Sequence, residues 1–320
     1  MNKILQIIGS MATGGGSRHV NDIKGSLSND MTIVTARNLS SLYTLGIKTL
    51  DGFDQVHCHG PKALVLSAPL LLWYRYCGRK IYFTPHGLNF ELYKSPLKII
   101  LRQLIVGLSK FTVSKIICVG AAEYSRLAKI FPKHKIQIIY NGVLADTNQI
   151  RFKFPNPKNT LSFLFVGRFD RVKNIERILD YACLHPSYQF DFIGNGELLA
   201  KIQQRIDDFS LDNAQCLGEK KQADIDYGRY NFFISLSISE GLPYAPLEAL
   251  SNGVWPILSD IPAHNEIVTL TGLGSILPDQ ATSLSDILDE LAEQKEKTGA
   301  LGPFTIDEMA KHYQGLYNEI

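Results

Sequence analysis

Short apolar runs alternate with longer segments in which apolar positions recur every three or four residues, and the alternation continues along the chain. The runs KILQII (3–8), MTIVTA (31–36), QVHCHG (55–60), RKIYFTPHG (79–87), KIICVG (115–120) and KIQIIYNGV (135–143) predict strands. Their near-continuous apolarity is that of parallel strands buried on both faces. Between them the pattern predicts a helix capped by Ser17 and running to about Leu27, and a helix over 61–77 with Pro61 at its start and Gly78 past its end. A long amphipathic helix follows from about Pro96, and another from Ala121.

The stretch LADTNQIRFKFPNPKN (144–159) is polar, contains two prolines and reads as a linker without strand or helix. The alternation then resumes. Strands are expected at 161–169, 188–196, 213–218, 231–237 and 255–260, and helices over 174–184, from Glu197, near 220–229, from about Leu242 and over the tail. A β-α-β-α order implies an open parallel sheet wrapped by helices. Two such halves predict an α/β fold of two Rossmann-like, doubly wound domains facing a cleft, 1–150 and 151–303, with a crossover helix at 304–320.

A chain of 320 residues suits two domains, and a composition 45% hydrophobic and 20% charged is that of a globular protein. The formal charge of +2 hides a local excess: 94–135 holds nine Lys or Arg against one acid, Glu123. Such a face suits phosphates, an anionic membrane or nucleic acid. The five cysteines (58, 77, 118, 183, 216) are widely spaced without a C-x-x-C, which predicts reduced, mostly buried thiols and a cytoplasmic setting. The longest apolar stretch, Ala63 to Tyr74, is about 12 residues, short of the roughly 20 a spanning helix needs.

Chemistry concentrates at expected strand ends. In SEGLPYAPLEAL (239–250), Pro243 and Pro246 fit only a first helical turn, so Glu240 sits in the loop before the helix and Glu248 inside it. The N–H groups of Gly241 and Leu242 lie beside Glu240, and the set suits a polyhydroxylated ligand. It also reads as a capping glutamate plus a solvent-facing one. In VGRFDRVKN (166–174), Arg168 and Lys173 could hold a diphosphate and neutralise charge on a leaving group, or be two solvated cations. GSMATGGGSRHV (9–20) offers Gly15 and Gly16 as a phosphate cradle but lacks G-x-G-x-x-G spacing, and IGNG (193–196) is a second glycine loop with Gly194 and Asn195. His86, in TPHG, ends a strand and could contact a transferred group or a leaving phosphate, or serve only the fold. Asp224 and Asp226 imitate a metal-binding D-x-D but fall in an expected helix. His57 and His59 share a strand face with no third ligand at sensible spacing, so core packing or cleft lining is the reading there.

The motifs GGGSRHV, TPHG, YNGV, VGRFDRVKN, IGNGE and SEGLPYAPLEALSNGVWPILSD come in an order and spacing that resemble the retaining GT-B glycosyltransferases of family 4. The resemblance is strongest over 161–268. It implies a nucleotide-sugar donor, with a UDP-sugar expected, and a glycan or lipid-linked acceptor in bacterial surface polysaccharide synthesis. By the same resemblance Arg168 and Lys173 hold the diphosphate in place of a metal, and no cofactor is expected. Glu248 accepts from ribose hydroxyls, and Glu240, Gly241 and Leu242 hold the sugar. His86 lines the catalytic cleft, and Gly15 and Gly16 approach the phosphates. Tyr140, before Asn-Gly, and Trp255 depart from the family pattern. The basic, apolar-rich segment 94–135 predicts peripheral association with an anionic membrane, or a core helix with a solvated basic face. Rival readings are a sugar-nucleotide epimerase on the same fold and a non-catalytic nucleotide-sugar-binding subunit. The dinucleotide fingerprint is missing, and so is the aromatic-basic interleaving of a nucleic-acid binder.

Overall fold

The computed structural model describes residues 2–9, 14–36, 51–88, 95–145, 149–278 and 284–318. Part of the first glycine loop (10–13) and Lys94 of the basic segment lie outside them. The chain forms two compact units, Met1–Gly142 with Ile306–Ile320, and Val143–Thr305. The change of unit thus falls at 142/143 and 305/306, against the 150/151 and 303/304 divisions expected from sequence.

The first unit holds β1 (Lys3–Ile8), α1 (Gly15–Ser26), β2 (Asp30–Thr35), β3 (Gln55–His59), α2 (Pro61–Leu66), α3 (Ala68–Tyr76), β4 (Lys80–Thr84), α4 (Pro96–Phe111), β5 (Lys115–Cys118), α5 (Ala121–Leu127) and β6 (Ile136–Ile138). Its sheet is parallel in the order β2-β1-β3-β4-β5-β6. Alternate residues serve two cores, because side chains on a strand point to opposite faces in turn. Leu5, Ile7, Val56 and Cys58 face one core with Leu64, Leu71 and Ile105. Ile4, Tyr82, Ile117 and Ile139 face the other, with Ile23 of α1 and with Met309, Tyr313, Leu316 and Tyr317 of the tail helix.

The second unit holds β7 (Ile150–Lys153), β8 (Ser162–Val166), α6 (Ile175–Leu184), β9 (Gln189–Ile193), α7 (Leu199–Asp208), β10 (Ala214–Cys216), β11 (Phe232–Ser235), α8 (Tyr244–Ser251), β12 (Trp255–Ser259), α9 (Pro262–Thr271), β13 (Ser275–Leu277), α10 (Leu284–Gln294) and β14 (Glu296–Gly299). The tail helix of the first unit, α11 (Ile306–Asn318), follows. The second sheet is parallel in the order β10-β9-β8-β11-β12-β13. This is the Rossmann order, with the reversal between β8 and β11.

Several expectations need correction. Ser17 does not cap α1, which opens at Gly15 after Gly14 with φ 154. The helix expected over 61–77 is broken at Ser67, because Pro69 has no N–H to continue the ladder and the Ser67 hydroxyl donates to the Ala63 carbonyl, 2.6 Å away. The supposed linker contains β7, whose Ile150 and Phe152 are buried while Arg151 and Lys153 are exposed, and which pairs antiparallel with β14. Residues 220–229 form two short 3-10 turns, Gln222–Asp224 and Tyr227–Arg229, separated by extended backbone at Ile225. The expected elements did not include α9, β13 or α10. The signals were Pro262 in the first turn of α9, Gly272 just after it, and Leu284, Ile287, Leu288 and Leu291 at helical spacing. Cys58 and Cys118 are buried, but Cys77 and Cys183 are exposed, so the thiols are not mostly buried.

The tail helix joins the first unit through its last turn. The Tyr317 carbonyl accepts from Asn2 Nδ2 (2.6 Å) and Gln55 Nε2 (2.9 Å), and the Leu316 carbonyl accepts from Tyr82 Oη (3.1 Å). Helix-end carbonyls lack intrahelical partners, and here the sheet supplies them. Tyr313→Ala is expected to lower the stability of this unit by about 3–5 kcal/mol, and Tyr313→Phe by about 1 kcal/mol. Denaturant unfolding followed by a probe in the first sheet checks both; equal midpoints for wild type and Tyr313→Ala would contradict the packing.

Candidate functional site

Two groups of side chains stand at the carboxyl ends of the two sheets, where open α/β sheets bind ligands. In the second unit the reversal of strand order leaves the loops after β8 and β11 side by side. Ile238 N donates to Val172 O (2.9 Å), and Asn174 Nδ2 to Leu236 O (3.1 Å). Asn174 adopts φ 52, a left-handed conformation that asparagine tolerates. The loop after β8 is shaped by Asp170, whose Oδ1 accepts from Val172 N (3.0 Å) and Lys173 N (3.1 Å), and whose Oδ2 accepts from Arg168 Nε (2.7 Å).

This arrangement brings Lys173 Nζ within 2.6 Å of Glu240 Oε1, with the side chains only 17% and 14% exposed. Arg168 is 74% exposed, so it is accessible to a ligand from the rim of the same loop. Glu248 is buried inside α8, and Tyr227 Oη donates to its Oε2 (3.2 Å). It is therefore not a solvent-facing glutamate. α8 begins at Tyr244 after Pro243, two residues later than expected, so Gly241 and Leu242 precede the helix and do not form its first turn.

Gly194 and Gly196, with φ 147 and 157, lie against the β8 loop. A Cβ on Gly194 would stand 1.8 Å from Gly167 O, and one on Gly196 2.5 Å from Phe169 O. Phe169 N donates to Asn195 O (2.9 Å), so the glycine loop buttresses the segment that carries Arg168 and Lys173. The side chain of Asn195 turns back on its own loop, accepting from Gly196 N at 2.7 Å.

Sequence reasoning missed His264, on α9. It is fully buried; its Nδ1 lies 3.1 Å from both the hydroxyl and the carbonyl of Ser259, and its Nε2 has no hydrogen-bond partner. Burial lowers its pKa to about 4, while Glu240 opposes and Lys173 adds to that shift. The residue is therefore within electrostatic reach of the Lys173–Glu240 pair.

In the first unit His86 follows β4 with φ 57. The buried Glu123 fixes this turn. Its Oε1 accepts from Gly87 N (2.7 Å) and Leu88 N (2.9 Å), and its Oε2 from Val119 N (3.1 Å). Burial raises the Glu123 pKa, against the pull of those N–H groups and of Arg126. The signal in the sequence was a lone acid in a basic stretch, in the first turn of α5. Gly16 on α1 approaches the ring: a Cβ there would lie 3.7 Å from His86 Cδ2. Gly15 is the first residue of the same helix.

His57 and His59 do acquire histidine neighbours. Ring nitrogens of His19, His59 and His86 lie within 4.8 Å of one another, the grouping of a three-histidine metal site that spacing alone did not reveal. The facing nitrogens of His59 (Nδ1) and His86 (Nε2) are 3.1 Å apart in a hydrogen bond, and His19 Nε2 is 2.9 Å from Tyr313 Oη. Asp224 and Asp226 are in or beside the 3-10 turns, so the D-x-D does not follow a strand.

Burial holds His19, His57, His59 and His86 below their ordinary pKa, His86 at about 4. Mutual repulsion adds to the shift at His19, His57 and His59. These groups are neutral when folded and titrate near 6.5 when unfolded. Below that value the unfolded chain binds more protons, so folded stability falls as pH drops from 6.5 towards about 4. Each histidine contributes a slope of up to about 1.4 kcal/mol per pH unit in that window. Urea midpoints at about pH 7 and about pH 5 check this, with a shallower dependence expected for His264→Asn.

Known proteins resemble this chain in sequence and in fold. The glycosyl transferases group 1 model matches residues 146–305, half of the chain, and the Glycosyltransferase Family 4 model matches 14–147. The O-antigen biosynthesis glycosyltransferase WbnH of Escherichia coli is 30% identical over 156 residues, 48% of this chain and 45% of that protein. The chain therefore spans about half the length of this curated relative. The GDP-mannose:cellobiosyl-diphosphopolyprenol alpha-mannosyltransferase of Xanthomonas campestris is 28% identical over 274 residues, 80% of this chain and 70% of that one. Anabaena Alr3699/HepE, solved in complex with UDP-glucose, superposes with a TM-score of 0.77 over 100% of both chains at 17% identity, so its likeness is one of fold, the GT-B arrangement. By its motifs, its two parallel sheets and the model that covers half its length, the chain belongs to the glycosyl transferases group 1 family.

Proposed function

We propose that the protein transfers a hexose from a nucleotide-sugar, expected to be a UDP-sugar, to a glycan or lipid-linked acceptor in surface polysaccharide assembly, with retention at the anomeric carbon. The observation that carries the reading is the Lys173–Glu240 pair at the switch point, with Arg168 on the same loop. The two cations bind the diphosphate and offset the charge that grows on it as the bond to the sugar breaks. Glu240 accepts from sugar hydroxyls beside the amides of Gly241 and Leu242, and Glu248 accepts from the ribose. Gly194 and Asn195 support the phosphate loop. The first unit contributes His86, Gly15 and Gly16: an imidazole, and backbone with no Cβ in the way. The bond from the anomeric carbon to the phosphate oxygen breaks and one to the acceptor oxygen forms, and the departing phosphate takes the acceptor's proton. Arg168 and Lys173 do the work a metal would otherwise do.

A thermal-shift screen of UDP-glucose, UDP-galactose, GDP-mannose, ADP-glucose and dTDP-glucose tests the donor, since a ligand at 100 times its Kd stabilises by about 2.7 kcal/mol. GDP-mannose, the donor named for the Xanthomonas relative, is the competing outcome. No shift with any of them would contradict the proposal. Arg168→Ala and Lys173→Ala are each expected to slow transfer about 10²–10³-fold. Glu248→Ala should weaken donor binding in titration calorimetry more than it slows turnover.

The same proposal places the protein on an anionic membrane surface through α4. Only Ile105 and Ser109 of that helix are buried, while Leu97, Ile100, Leu104 and Phe111 are exposed on one stripe. Lys98, Arg102 and Lys110 accompany them, a composition suited to the headgroup layer. No helix among the described residues is long and apolar enough to cross a membrane. Flotation with anionic vesicles is expected, and the double substitution Ile100→Ser with Leu104→Ser should abolish it; equal recovery with neutral vesicles would remove the electrostatic part.

A further inference from the structure

A chain of hydrogen bonds, buried up to its last link, runs from the tail helix to half-buried His86, and its direction can be assigned atom by atom. Gln6 is fully buried on β1. Its Nε2 lies 3.7 Å from Met31 Sδ and 3.1 Å from Tyr317 Oη. A thioether can only accept, so the amide NH₂ must face it. That leaves Gln6 Oε1 to accept from His59 Nε2, 2.6 Å away. His59 therefore carries its proton on Nε2 and presents a bare Nδ1. Across 3.1 Å that Nδ1 accepts from His86 Nε2. His86 in turn carries its proton on Nε2, and its Nδ1 is bare. The branch through His57 agrees: Tyr317 Oη, already accepting from Gln6, donates to His57 Nδ1 (2.6 Å), and His57 Nε2 donates to Thr84 Oγ1 (2.8 Å).

We propose that Gln6, His59 and Tyr317 are positioning residues that fix the Nε2–H tautomer of His86, so that its Nδ1 accepts a hydrogen bond from a substrate hydroxyl and rejects a phosphate oxygen. The inference rests on the glycosyl-transfer reading above and deepens it. A bare nitrogen lone pair attracts an O–H and repels an oxygen that has only lone pairs to offer. The choice between transferred sugar and leaving phosphate, open from the sequence, thereby falls to a hydroxyl of the sugar or acceptor. The neutral ring, half-buried beside other histidines, accepts a hydrogen bond without taking the proton.

The test reads the tautomers directly, by ¹⁵N–¹H long-range NMR on the full chain labelled at histidine. Protonated Nε2 and bare Nδ1 on both His59 and His86 are expected; a proton on His86 Nδ1 overturns the proposal. Gln6→Met removes the carbonyl that orients His59. It should leave His86 a mixture of tautomers and slow transfer by up to about tenfold, the scale of one lost hydrogen bond. If that buried change impairs folding, Tyr317→Phe, which removes one of the two acceptors that orient Gln6, is expected to loosen the same tautomer. An unchanged His86 spectrum in a folded Tyr317→Phe overturns the relay. One equivalent of Zn²⁺ that abolishes the His86 Nε2–H signal would overturn it too, by making His19, His59 and His86 a metal site. The spectra need no turnover. A spectrum as expected with full transfer by His86→Ala would overturn the hydroxyl role while leaving donor binding by the second unit untouched.

Discussion

A parallel sheet whose strand order reverses in the middle cannot close its own carboxyl edge. The loops on either side of the reversal leave in opposite directions, and the gap between them is the part of the sheet that a ligand can enter. In the second unit that reversal lies between β8 and β11, and the residues following those strands are the ones that carry Lys173 and Glu240. Much else in the unit serves this gap. Asp170 folds the first loop, Asn174 ties it to the second, and Gly194 and Gly196 let a neighbouring loop press against it from behind. Tyr227 holds Glu248 deeper in the same unit.

The two units meet the problem of burying polar groups in different ways. The second sets opposite charges against each other, Lys173 with Glu240, close to the surface. The first keeps its polar seam neutral: His19, His57 and His59 are buried under the tail helix with Gln6, Tyr313 and Tyr317, and His86 ends the seam half-buried. Neutral hydrogen-bonded groups cost far less to bury than ions, so this layer can lie inside the core. Among the described residues of that unit one carboxylate is buried, Glu123, where three backbone N–H groups receive it.

How much of this was legible in the sequence depended on distance along the chain. Strands such as Ser162–Val166 and Trp255–Ser259 are continuous apolar runs and stand out locally. The β7 strand was hidden because only Ile150 and Phe152 of it are apolar and it is flanked by prolines and asparagines. Arg168, Lys173, Glu240 and Glu248 were found because each lies in a short motif. The Lys173–Glu240 contact joins residues 67 positions apart, and no local pattern encodes it. Likewise His57 and His59 are an evident pair, but His19 reaches them only through helix packing, and Tyr313 and Tyr317 only through a helix some 250 residues later in the chain. His264 gave no signal, since a lone histidine near a helix start is ordinary until its buried, unpartnered nitrogen is seen.

The tail helix has a consequence for how the molecule is made. Met309, Tyr313, Leu316 and Tyr317 cover Ile4, Tyr82, Ile117 and Ile139, which are translated long before them. A ribosome therefore releases every residue of the second unit before the first can be sealed. During that interval one apolar face of the nascent first sheet stands open to water, because the helix that covers it is the last element made. Chaperone occupancy should be greatest on the part of the polypeptide that emerges first.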